Sequence, residues 1–212
     1  MDADRTDPPR SPLEERLAAG PPGDAADLDR VAEAARRRAV ADGAVDVGWA
    51  EAEAPFGTVV VAGTAAGLVT LSFEDVDVTL ERLAARLSPR VLAAPEWTDA
   101  VRRQLDEYFA GDRTQFDLRI DWTLSRGFRL DALRALTRVG YGDVVTYGEL
   151  ARSAGRPRAA RAVGSAMATN PIPIVVPCHR VVPAAGGLGG YGGGVDAKRF
   201  LLSLEGAEVE PS

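Results

Sequence analysis

One cysteine and one histidine, adjacent at positions 178 and 179, set the terms on which this 212-residue chain can fold. A lone thiol closes no internal disulfide. One Cys and one His fall short of the roughly four ligands that a structural zinc site needs. Stability must therefore come from buried apolar surface, and 46% hydrophobic residues over this length suffice for one or two domains. An unpaired thiol also fits a reducing cytoplasm. Met1-Asp2-Ala3-Asp4-Arg5 is acidic and leads into no apolar run, so no secretory signal is expected and the chain reads as cytoplasmic.

Phe56–Phe73 is 18 residues without a charge, about the shortest length for a membrane-spanning helix. Gly57, Gly63 and Gly67 interrupt it, and Thr58–Ala62 and Leu68–Phe73 are rich in β-formers, so a β-hairpin is expected instead. Residues 1–27, rich in Pro, Asp and Ala, read as a disordered tail with at most two helical turns near Leu13–Ala19. A helix is expected over Asp27–Ala41, its Arg36-Arg37-Arg38 run a solvated face. Strands follow at Val45–Ala50 and in the hairpin. Next come helices over Asp77–Leu87 (Val78, Leu80, Leu83 and Leu87 inward) and Trp97–Ala110 (Val101, Leu105, Tyr108 and Phe109 inward). A last strand near Phe116–Ile120 closes an α/β half, residues 28–121.

From Trp122 the pattern becomes helical. Phe128–Thr137 forms one helix. Thr146 is expected to cap a second, Tyr147–Ser153, with Glu149 completing a capping box. Across the Gly155-Arg156-Pro157 turn, a third runs over Arg158–Thr169. The last two make a helix-turn-helix candidate. Residues 122–206 thus form a second domain, and 207–212 an acidic tail.

The net charge of -6 hides a division: residues 1–121 carry -10, residues 122–206 carry +6, and the tail carries -2. The second half alone suits a polyanion, and its cations are ten Arg against one Lys. Arg158, Arg161 and Ser165 stand at i, i+3 and i+7, on one face of the expected helix. Val163 and Met167 lie on the other, and Ala160, Ala162 and Gly164 keep the helix slender. An acidic first half is expected to restrict polyanion contact to a localised, salt-sensitive patch.

Three prolines in Asn170-Pro-Ile-Pro-Ile-Val-Val-Pro-Cys-His-Arg180 suggest a stiff, extended segment presenting Cys178. A thiol reacts as thiolate, so it needs a base or a positive charge beside it. His179 and Arg180 are adjacent, though neighbouring side chains of an extended chain point apart, and a water can bridge Cys178 to His179. Glu205 is the only acid between Asp196 and the tail, at the end of an expected helix over Asp196–Leu204. Gly187–Gly192 matches G-x-G-x-x-G formally, but no βαβ unit can follow it. It reads as a wall that lets main chain approach a flat ligand.

Asn170–Val182, with Arg161-Ala-Val-Gly164 before it and the Gly/Tyr loop after, resembles the methylated-DNA–protein-cysteine methyltransferases, the O6-alkylguanine-DNA alkyltransferases. The likeness covers about Phe128–Gly206 and includes Tyr147, Lys198 and Glu205 at the family's spacing. It implies an α+β protein: an N-terminal ribonuclease-H-like α/β domain without catalytic residues, and a C-terminal, mostly helical, winged-helix-like domain holding the helix-turn-helix. It implies DNA repair by irreversible, single-turnover transfer of an alkyl group from O6-alkylguanine, and conceivably O4-alkylthymine, to Cys178. His179 and Glu205 would draw off the thiol proton through a water. Asn170 would order the loop, and Tyr147 would help turn the base out and protonate it, since the O6 alkyl carbon is out of reach inside the stack. Arg161, Arg158, Ser165, Ala160 and Gly164 would meet DNA in the minor groove, with Arg161 filling the gap. Val181, Tyr191, Gly192 and Lys198 would form the base pocket. No cofactor, metal or membrane is implied; the partner is double-stranded DNA and the protein a monomer. Arg129 and Leu133 stand where the family commonly has Gln and Trp. Two rival readings are an alkylated-DNA-binding module without transfer, which Cys178 argues against, and a cysteine hydrolase, which the basic helix-turn-helix argues against.

Overall fold

The computed structural model describes Ala25–Ala207; the expected tails, including the turns near Leu13–Ala19, fall wholly or largely outside these residues. Contacts divide the chain between Asp42 and Gly43. Helix α1 (Ala25–Ala41) belongs to the first unit, where Arg36 and Glu33 pair along one face.

The second unit opens with a four-stranded sheet in the order β3-β2-β1-β4, from β1 (Val47–Ala54), β2 (Gly57–Thr64), β3 (Gly67–Ser72) and β4 (Val91–Ala93). The uncharged stretch is indeed the antiparallel β2–β3 hairpin, and no described helix is long and apolar enough to cross a membrane. Strand alternation sorts the side chains: Val59 and Val61 face the main core, while Ala62 joins Val47, Val69 and Leu83 on the other face. One extra residue on β3 shifts the register beside Ala62 and Gly63, so Leu68 and Leu71 reach the same core. Gly67 (φ 140°) is obligatory, because a Cβ there would lie 2.3 Å from the Arg119 carbonyl oxygen.

Helix α2 (Val76–Arg86) buries Leu83 but leaves Val78 exposed, against expectation. Thr79 goes inward instead, because its hydroxyl finds Ser72 Oγ at 3.0 Å and so loses nothing on burial. The expected helix from Trp97 splits at Thr98 into a 3-10 turn (Pro95–Trp97) and α3 (Asp99–Phe109), which buries Val101, Leu105 and Tyr108. The strand expected at Phe116–Ile120 is a single bridge, Ile120 to Leu68. The Gln104 side chain takes the place of a neighbouring strand: it donates to Asp117 O at 3.0 Å and accepts from Asp117 N at 2.8 Å. The short strand β4, parallel to β1, had no legible signal.

The helical half packs on the sheet through one continuous core, from Val59 and Leu105 to Leu136, Val163, Ile174 and Leu201. Full burial of each such side chain is worth about 1.5–3 kcal/mol. Helix α4 (Gly127–Leu136) buries Leu133, while Arg129 donates to the Leu124 carbonyl. The two departures from the family pattern are therefore a core residue and a helix-entry clamp. Helix α5 (Tyr147–Ser153) starts with the expected capping box of Thr146 and Glu149. Helix α6 is Ala160–Ala168, shorter than expected. Arg158 lies in the Arg156–Ala159 turn and does not share a helical face with Arg161. Helix α7 (Gly194–Leu204) ends at Glu205.

Candidate active site

Two parallel pairings, Val145 with Val181 and Thr146 with Val182, join β5 (Val145–Thr146) to β6 (Val181–Val182). Thr146 also caps α5, so this bridge seats Tyr147 beside the segment that carries Cys178. That segment is not extended. Cys178–Arg180 is a 3-10 turn, and Ile174 is held at φ 71°, a strained value for a β-branched residue. Asn170 holds the loop in that shape: Nδ2 donates to Val176 O at 2.8 Å, and Oδ1 accepts from Ile172 N at 3.1 Å. Burial of Ile174 also opposes relaxation.

The turn sends His179 and Arg180 to one acceptor. Glu205 Oε1 lies 2.9 Å from His179 Nε2, and Arg180 clamps the carboxylate through Nε to Oε2 at 2.9 Å and Nη2 to Oε1 at 2.8 Å. Gly142 N approaches Oε2 at 3.3 Å; a Cβ at Gly142 would stand 2.9 Å from the Glu205 carbonyl oxygen. Glu205 caps the C-terminus of α7, the negative end of the helix dipole, and burial also works against its charge. Hydrogen bonds from His179, Arg180 and Tyr108 outweigh both and bring it to about 2. Glu205 is therefore ionised at neutral pH. Burial, only partly opposed by Glu205, holds His179 below the usual histidine value.

An ionised carboxylate only accepts, so the neutral imidazole carries its proton on Nε2. Its Nδ1 keeps a lone pair, is buried, and has no hydrogen-bond partner among the described residues. Burial pushes the Cys178 thiol up to about 11, against the pull of the Asn170 side chain and the Lys198 ammonium. The thiol is therefore neutral at rest and needs a base at the moment of reaction.

Cys178 forms part of the wall of two cavities. One, of about 310 Å³, is lined by Tyr147, Gly164, Met167, Ala168, Gly190, Tyr191 and Gly192. The other, of about 340 Å³, lies toward β3 and also touches Asn170 and Gly192. The expected base-pocket residues divide. Tyr191 and Gly192 line the first cavity, while Val181 and Lys198 line neither. Lys198 Nζ instead donates to Val181 O at 2.7 Å, both residues being buried, and burial pulls this amine down to about 8. Arg161 and Ser165 are exposed on α6, with Gly164 turned toward Tyr147 and Ala160 in its first turn.

Two partners of Glu205 were not assigned to it from sequence. Arg180 gave only the signal of a charge near a thiol. Tyr108 donates its hydroxyl to Glu205 Oε1 at 2.6 Å from 97 residues away, whereas its helical position marked it merely as core. The sheet-bearing half, expected to supply no catalytic residue, touches the site through Tyr108.

Two family models match the chain: "6-O-methylguanine DNA methyltransferase, ribonuclease-like domain" over residues 48–122, and "6-O-methylguanine DNA methyltransferase, DNA binding domain" over residues 127–207. A methylated-DNA–protein-cysteine methyltransferase of Mycolicibacterium paratuberculosis is 44% identical over 153 residues, spanning 72% of this chain and 88% of that protein. One of Methanosarcina acetivorans is 39% identical over 155 residues, spanning 73% and 96%. Among solved structures, Mycobacterium tuberculosis OGT in complex with DNA is similar with a TM-score of 0.65 at 39% identity, over 75% of this chain and 92% of that one.

Proposed function

Since the chain belongs to the 6-O-methylguanine DNA methyltransferase family, a DNA-repair family that transfers alkyl groups to a cysteine, we propose that Cys178 takes the alkyl group from O6 of a guanine in duplex DNA. The observation that carries this assignment is the chain's sole thiol on a cavity wall, next to a neutral imidazole with its Nδ1 free. A water passes the thiol proton to His179 Nδ1, and Glu205 stabilises the imidazolium that forms. Sulfur bonds to the alkyl carbon, the carbon–O6 bond breaks, and its electron pair goes to the guanine, which takes a proton. Tyr147 supplies that proton: burial and the nearby Cys178 raise its hydroxyl above the ordinary tyrosine value, so it is protonated and able to donate. The thioether has no good leaving group, so each molecule acts once. Asn170 keeps the loop in shape, Tyr191 and Gly192 meet the base, and Lys198 holds the Val181 carbonyl behind it.

Helix α6 enters the minor groove, where Ala160 and Gly164 permit close approach and Ser165 and the neighbouring Arg158 contact the backbone. Arg161 replaces the extruded guanine in the stack. Residues 28–121 serve as support, 122–206 as the DNA-facing and accepting half, and the protein acts as a monomer.

Incubation with duplex carrying O6-methylguanine should add one methylene to the Cys178 peptide, one equivalent per chain. Tight binding without a mass change would indicate a binding module, and more than one equivalent a hydrolase. Arg161→Ala should slow repair in duplex by about 10-fold or more, the scale of an inserted contact, yet leave transfer from free O6-benzylguanine near the parent rate. Equal losses on both substrates would remove Arg161 from the insertion role.

A further inference from the structure

Glu205 Oε1 receives three donors, and one comes from the half of the chain that carries the sheet. Tyr108 on α3 is fully buried. Its ring packs on Phe109, Phe116 and Tyr141, with centroids 5.5, 5.2 and 6.1 Å away. Its hydroxyl lies 2.6 Å from the oxygen that also takes His179 Nε2 at 2.9 Å and Arg180 Nη2 at 2.8 Å.

We propose that Tyr108 is a positioning residue for alkyl transfer: its hydroxyl fixes the carboxylate oxygen that orients the His179 imidazole. That role presupposes His179 as the base serving Cys178. Arg180 sets the plane of the carboxylate through a two-point clamp, but a clamp leaves the shared oxygen free to favour either remaining donor. Tyr108 takes up part of its charge. Burial and the adjacent Glu205 hold the phenol far above its ordinary value, so it donates at every working pH. Without it, Oε1 keeps more of its charge, which makes the imidazole more basic, and the carboxylate oxygen that sets the ring's orientation is no longer fixed in place. The other charged or titratable groups around the pair are Arg180 and Cys178 on the turn, Lys198 on α7, Tyr141, and Tyr191. Of these, Tyr191 also feels Tyr108, and Arg180 shares the Glu205 oxygen with it.

A chain with one histidine allows a direct test. In untagged full-length protein, every imidazole ¹⁵N signal belongs to His179. The wild type should show a neutral ring protonated at Nε2. The Tyr108 hydroxyl proton should exchange slowly and show a cross-peak to the Nε2 proton. Tyr108→Phe keeps the ring. It should move the His179 titration to higher pH and slow single-turnover transfer from duplex O6-methylguanine by about 10-fold, the scale of one lost hydrogen bond to a charged group. The stoichiometry should stay at one equivalent. Val101→Ala, which removes buried apolar surface from the same helix away from the Tyr108 hydroxyl, should lower the melting temperature without moving the imidazole signals. Unchanged signals and rate in Tyr108→Phe, no hydroxyl cross-peak in the wild type, or the same titration shift in Val101→Ala would each overturn the role. Failure of the wild type to methylate Cys178 would sink the reading of the site itself, while a shifted imidazole in Tyr108→Phe would still report the contact.

Discussion

A chain carrying Cys178→Ala is expected to bind alkylated duplex as the parent does and to gain no mass from it. Cys178 is the only thiol in the sequence. Met167 lines the same cavity, but a thioether is a weak nucleophile, has no proton for His179 to remove, and would have to become a sulfonium. Transfer should therefore fall to background rather than by some intermediate factor. Folding should hardly notice. With its pKa near 11, the thiol is uncharged at neutral pH, so its removal strands no ion and leaves only a small void. A loss of about 1 kcal/mol is the scale for such a change. Peptide masses after incubation, set beside thermal melts of both proteins, check the two halves of this expectation. Methylation of the variant at any other residue would take the accepting role from Cys178.

Glu205→Gln should damage both stability and transfer. An amide still offers one acceptor, but its nitrogen then faces donors from Arg180, and the guanidinium loses its counter-charge in the interior. Breaking a buried pair in this way costs about 3–5 kcal/mol, roughly 10 °C or more in melting temperature for a chain of this size. Transfer should drop by about 100-fold, the lower part of the range for loss of general-base assistance. The pH dependence separates the charge effect from mere repacking. The folded-state value of about 2 lies below the ordinary carboxylate value. The stabilisation is therefore complete above the ordinary range and is lost as pH falls through about 2. The gap between parent and variant, measured by melting, should be widest near neutral pH and narrow as the solution is acidified from about pH 5 toward 2. A gap constant across that range would mean that packing, not charge, accounts for the loss.

Much of this architecture could be read locally. The capping box of Thr146 and Glu149, the β2–β3 hairpin and the inward faces of α3 and α6 each depend on neighbours within a few residues, so spacing alone exposes them. Two of the expectations that failed share a cause. Val78 lost its place to Thr79 because a partner hydroxyl waited on β3. The strand at Phe116–Ile120 gave way because Gln104, on a different element, satisfied Asp117. Arg158 left its helical face because the turn around Pro157 ran two residues longer, through Ala159, closed by the local bond from Ala159 N to Arg156 O. In the first two cases a polar group on another element changed which conformation left the fewest bonds unmade.

The same division runs through the active site. Spacing brought Cys178, His179 and Arg180 together and left Glu205 as the one acid positioned to serve them, since adjacency and elimination need no coordinates. Sequence also separated an acidic half from a basic half suited to a polyanion. Only the tertiary structure decided how the imidazole is held. A 3-10 turn, not an extended strand, sends both His179 and Arg180 to Glu205, and Tyr108 reaches the same oxygen from across the core. A buried carboxylate at a helix C-terminus is stable only where several donors converge. That convergence is made by contacts between residues far apart in the chain, which no local pattern encodes.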